Sequence, residues 1–169
     1  MKQPVLKTFA LLLIQLLTTA GASADESSPP SNTLTSPSML TWSEDYQAAT
    51  QKAVAQNKLL LLFFTGSDWC GWCMKMDKEI FSTKEFLELA GNAFIFVKLD
   101  FPSHTPQKAE IQIQNKELQE KFKVHGYPTV LITEPNGKIL ATAGYRSGGG
   151  KAYAEYLLNL IPAASTTSN

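Results

Sequence analysis

Cys70 and Cys73 are the only cysteines in the 169-residue chain, and they follow closely on an unbroken apolar run, Leu59-Leu60-Leu61-Leu62-Phe63-Phe64. Such a run, ended by the turn chemistry of Thr65-Gly66-Ser67-Asp68, predicts a strand buried on both faces. A helix is expected to begin at or near Cys70. The two thiols therefore stand where a buried strand turns into a helix, three residues apart. A single pair of cysteines also excludes a disulfide-framework miniprotein.

The hydrophobic period changes repeatedly between Leu40 and Ile161, the pattern of an α/β domain. Ser43 to Gln56 reads as a helix through Tyr46, Ala49, Ala53 and Val54. Ser82-Thr83-Lys84-Glu85 reads as a capping box that opens a further helical piece through Phe86, Leu87 and Leu89. Ala93 to Leu99 is the next buried strand. A loop with Pro102 and Pro106 leads into a helix over about Gln107 to Phe122, with Ile111, Leu118 and Phe122 facing inward. Thr129–Thr133 and Lys138–Ala143 are strands joined by the turn Glu134-Pro135-Asn136-Gly137. A closing helix follows Gly148-Gly149-Gly150. The expected order is α-β-α-β-α-β-β-α, with no internal repeat.

The ends have a different character. Lys2 and Lys7 precede the apolar stretch Phe9–Leu17, and Ala22-Ser23-Ala24 fits a small-x-small cleavage site, so residues 1–24 read as a secretory signal peptide. The apolar stretch falls short of the roughly 20 residues that span a bilayer, so no stable membrane insertion is expected after cleavage. The segment 25–39 is rich in Ser and Pro and reads as a flexible leader, and 162–169 as a flexible tail. The domain proper is expected over 40–161. The 15 basic and 15 acidic residues balance, and Arg146 is the only arginine. That removes the electrostatic footprint of a nucleic-acid binder. Cleavage would remove two lysines and leave a net charge of −2.

The placement of Cys70 and Cys73 has a chemical use. A thiol at a helix N-terminus meets unpaired N–H groups and the positive end of the dipole, so its pKa falls towards the reactive thiolate. Cys73, one turn on, can attack a mixed disulfide formed at Cys70. The expected roles are Cys70 as nucleophile and Cys73 as resolving thiol. A purely structural disulfide closing so short a loop is worth about 2 kcal/mol or less. Zinc would need two more ligands, and His104 and His125, the only histidines, lack paired spacing, so no metal site is expected. Gly148-Gly149-Gly150-Lys151 is not a phosphate loop, because Tyr145 and Ala152 stand where Gly and Ser/Thr are required.

Trp69-Cys70-Gly71-Trp72-Cys73 at a strand-to-helix junction, with Gly126-Tyr127-Pro128-Thr129 far downstream before a strand, resembles the thioredoxin superfamily. The likeness covers about residues 42–161. Phe64-Thr65-Gly66-Ser67-Asp68-Trp69-Cys70-Gly71-Trp72-Cys73, with Lys75, Met76 and Phe81, looks most like exported thioredoxin-like reductases of the DsbH type. The resemblance implies a thioredoxin fold, a central mixed sheet flanked by helices, and a dithiol that exchanges disulfides with partner proteins. It further implies a cis bond before Pro128 facing the cysteines, and a substrate strand held along Tyr127. Trp69, Trp72, Tyr127 and Pro128 are thus the expected substrate-binding residues. This chain departs from thioredoxin in two ways. Phe63 or Phe64 stands where thioredoxin carries a buried acid, and the dipeptide between the cysteines is Gly71-Trp72 rather than Gly-Pro.

An uncharged dipeptide does not over-stabilise the thiolate, and Asp68 would disfavour it further if its carboxylate faced Cys70. The expected activity is therefore a protein-disulfide reductase of the periplasm. A thiol oxidase or isomerase of the same fold is the alternative, as is a non-catalytic binding module using Trp69, Trp72 and Tyr127. The leader is too short for the dimerisation domain of periplasmic isomerases, so a monomer is expected. An oxidising periplasm requires an outside source of electrons. By resemblance this is a DsbD-like membrane donor, and the substrates are disulfide-containing exported proteins. No cofactor is implied beyond the cysteines.

Overall fold

The computed structural model describes residues 40–162. The expected signal peptide at 1–24, the leader at 25–39 and the tail beyond Pro162 lie outside the described residues.

The apolar run divides by strand periodicity. Leu61 and Phe63 of strand β2 (Leu59–Thr65) join one buried cluster, while Leu60, Leu62 and Phe64 join the other. This is why the run is continuous: each face of β2 is covered, so no position faces water. β2 lies centrally, parallel to β3 (Phe94–Asp100) and antiparallel to β4 (Thr129–Thr133). The two-residue strand β1 (Trp42–Ser43) and β5 (Ile139–Ala143) close the edges, giving a mixed five-stranded sheet in the order β1-β3-β2-β4-β5.

Helices cover both faces. On one, Ala49 and Ala53 of α1 (Tyr46–Ala55) and Leu118 of α4 (Ala109–Lys121) pack with Leu60, Leu62 and Phe64. On the other, α2 (Gly71–Met76), α3 (Lys84–Ala90) and α5 (Gly149–Asn159) bring Cys73, Met76, Phe86, Tyr153 and Leu157 against Leu61 and Phe63. Full burial of a Leu or Phe side chain is worth about 1.5–3 kcal/mol, so the two clusters dominate the stability of the sheet.

Several expectations need correcting. β1 was not expected, and it places Ser43 in the sheet. Helix α1 therefore starts later, at Tyr46, where the Asp45 carboxylate accepts from Ala48 N–H at 2.9 Å. Val54, expected on the inner stripe, is 65% exposed. The predicted capping box does not form. Thr83 caps α3 instead, its hydroxyl accepting from Phe86 N–H, because a π-helical turn over Asp77–Phe81 carries the chain one residue further. In α4 Ile111 is only half-buried, and the buried Asn115 donates to the Asp100 carbonyl at 2.8 Å.

Candidate active site

β2 delivers the site. Its last residue, Thr65, is buried, and the turn that follows brings Cys70 N–H to the Gly66 carbonyl at 2.9 Å. Cys70 is the N-cap of α2, and Cys73 N–H donates to its sulfur at 3.2 Å. The predicted helix start is thus met. The sulfurs are joined in a disulfide with the two Cα atoms 5.2 Å apart, and the structure is that of the oxidised protein. Cys70 is 8% exposed and Cys73 1%, both in the same buried cluster, so Cys70 is the more accessible residue of the two.

Two aromatic walls flank this pair. On one side Trp69, 47% exposed, donates its indole N–H to the Phe101 carbonyl at 2.7 Å and meets the Tyr127 ring edge-on at 5.8 Å. The Trp69 ring covers Gly66, where a Cβ would lie 2.6 Å from Nε1, so the turn needs glycine there. Tyr127 is fixed in turn by the Phe101 ring at 5.2 Å and by Gln119, which donates to its hydroxyl at 2.7 Å. The Tyr127–Pro128 peptide bond is cis. On the other side Trp72, 59% exposed, lies 5.3 Å from the ring of Tyr145. Met74 is exposed as well, whereas Met76 is core.

Asp68 does not behave as either sequence reading supposed. It is partly exposed, and its carboxylate is committed to the loop after β3. Its carboxylate accepts from the backbone N–H groups of Ser103, His104 and Thr105 at 2.8 to 2.9 Å, and these bonds hold its pKa well below the usual carboxylate range. Asp68 thereby pins the loop that carries Phe101, the residue on which Trp69 rests. Phe63 and Phe64 are fully buried, and β2 carries no acidic residue. The nearest strand neighbour of Phe63 on β3 is Lys98, whose ammonium pairs with Asp77 at 3.2 Å. His125 is exposed, and among the described residues no three His, Cys, Asp or Glu side chains converge as a metal site.

Residues 46–157 match the family described as a thioredoxin-like domain. The chain belongs to the thioredoxin-like family. It is 41% identical over 114 residues to the disulfide bond reductase DsbH of Chlamydia pneumoniae, covering 68% of each chain. It is 30% identical over 97 residues to the thiol:disulfide interchange protein DsbD of Photorhabdus laumondii, covering 57% of this chain and 15% of that protein. Among solved structures it superposes on a DsbH oxidoreductase with a TM-score of 0.71 and 34% identity, over 84% of this chain and 94% of that one. These relationships place the family member among thiol-disulfide oxidoreductases of the Dsb kind.

The structure brings Tyr127, of the Tyr127–Pro128 pair, into contact with Trp69, while Trp72 packs on Tyr145 instead. Sequence reasoning missed Phe101 and Tyr145. Phe101 had a usable signal, an aromatic directly after a buried strand and before Pro102. Tyr145, beyond β5, had none, since only the tertiary fold brings it to Trp72.

Proposed function

We propose that this protein is a protein-disulfide reductase of exported proteins, acting as a monomer in the periplasm after removal of residues 1–24. The Cys70–Cys73 pair at the start of α2, with Cys73 the more deeply buried residue, is the observation that carries the reading. The reduced protein attacks with the Cys70 thiolate, which the Cys73 N–H and the start of α2 stabilise. A bond forms from Cys70 Sγ to one client sulfur, and the client disulfide breaks, its other sulfur leaving as a thiolate. Cys73, as thiolate, then attacks Cys70 Sγ. The second client thiolate leaves, and the Cys70–Cys73 disulfide closes. Two electrons pass from the dithiol to the client, and the client thiolates take up the protons that the dithiol gives up. Trp69, Trp72, Tyr127 and Pro128 hold the client segment across the first sulfur, since exposed aromatics beside a reactive centre suit extended chains.

The oxidised form must be returned to the dithiol by a second disulfide exchange, whose electrons come from a DsbD-like membrane donor. The relationship to DsbH and DsbD supports this pathway, as does the oxidising character of the periplasm. The cysteine variants test the roles. Cys70→Ser abolishes turnover with protein disulfides, and Cys73→Ser accumulates covalent client adducts that resist washing and yield to dithiothreitol. Sustained multiple turnover by Cys70→Ser would remove the assignment.

A further inference from the structure

The wall that contains Trp72 is held by side chains to which no role has yet been given. Trp72, Lys75 and Glu79 follow one another along the helical segment that begins at Gly71, and Tyr145 reaches them from beyond β5. The Lys75 ammonium lies 5.4 Å from the centre of the Trp72 ring and 5.5 Å from that of Tyr145. It also lies 3.9 Å from Glu79, whose other carboxylate oxygen accepts the Tyr145 hydroxyl at 2.8 Å. The four side chains therefore form a closed ring of contacts in which the exposed indole is one member. The bond to Glu79 also raises the pKa of the Tyr145 phenol, which stays protonated and able to donate at neutral pH.

We infer that Tyr145 is a positioning residue for polypeptide clients, which fixes Trp72, with Glu79 and Lys75, as a rigid wall beside Cys70. The inference rests on the reductase reading and deepens it: the site selects disulfides set in a polypeptide over small ones. An exposed Trp free to change rotamer would lose entropy each time a client docked, and a ring already held in place loses less. A small disulfide has no flanking side chains to lay on the wall, so it gains little from it.

The test uses the full-length protein in multiple turnover, with dithiothreitol as the recycling reductant and its uncatalysed rate subtracted, on two substrates, insulin as the protein disulfide and bis(hydroxyethyl) disulfide as the small one. The readout is the ratio of their kcat/KM values. Tyr145→Ala is expected to lower the insulin-to-small-disulfide ratio about fivefold or more, through KM for insulin, the order expected for a lost aromatic contact. Tyr145→Phe keeps the ring on Trp72 and loses the bond to Glu79, so its ratio falls between. Glu79→Gln, on an exposed side chain, guards against a folding defect and lowers the ratio by about twofold to threefold. A ratio within twofold of the native value in Tyr145→Ala overturns the inference, as does an equal fall in kcat for both substrates. A native protein that reduces neither substrate would overturn the reductase reading itself, a result separable from an unchanged ratio.

Discussion

At the scale of single residues the site is a set of anchored side chains, and Asp68 shows how indirect an anchor can be. It touches no sulfur, yet its three backbone hydrogen bonds fix the loop whose Phe101 carbonyl holds the Trp69 indole. Asp68→Asn removes the charge from those bonds and is expected to lower Tm and to raise KM for protein substrates. The pH dependence has a definite sign. A carboxyl whose folded pKa is depressed stabilises the fold above its unfolded pKa and loses that contribution as pH falls towards its folded value. The Tm gap between native protein and Asp68→Asn should be widest near neutrality and narrow on acidification, as thermal melts across that range would check. A gap independent of pH would contradict it. Sequence identified Asp68 as a neighbour of Cys70 but could not tell where its carboxylate points. Its partners lie some 35 residues onward, and no periodicity connects them.

At the scale of elements, most of the fold was legible because buried strands and amphipathic helices write themselves in period. β2 and β4 were read at or near their observed limits, since apolar continuity marks strands covered on both faces. β1 was invisible: two residues have no period, and only their pairing with Phe96 and Val97 makes them a strand. The passage from α2 to α3 was blurred for a related reason. The π-helical turn adds a residue, with Ser82 N–H bonded to Asp77 O at 2.8 Å, and this shifts the cap from Ser82 to Thr83. That cap is packed hard against α5. A Cβ at Gly150 would collide with Thr83 Oγ1 and lie 3.0 Å from both the Ile80 carbonyl and the Phe86 Cβ. Gly150→Ala should therefore destabilise the protein by about 1–3 kcal/mol in chemical denaturation, the cost of forcing atoms into a packed contact. No loss would mean that α5 can slide away from Thr83.

At the scale of the whole molecule, the candidate site draws on the turn after β2, the loop after β3, the cis-proline segment before β4 and the segment after β5. The first and third were legible because each carries a motif beside an apolar strand. The other two supply Phe101 and Tyr145 only through the order of strands in the sheet. The direction of electron flow is likewise a property of the folded molecule. With Asp68 engaged elsewhere, the uncharged Gly71-Trp72 dipeptide remains as the local argument for a reductase. A reduction potential near about −270 mV, where thioredoxin lies, is expected on equilibration with dithiothreitol buffers. A value near about −120 mV, that of a strong oxidant, would reverse the direction. The burial of Cys73 has a kinetic meaning besides. A buried resolving thiol is kept from outside disulfides and oxidants, so it stays free to attack Cys70 Sγ, and closure of the Cys70–Cys73 bond is a first-order step within one molecule. The protein thus sets the longest time a client stays attached, which a solution thiol reaching the mixed disulfide can only shorten.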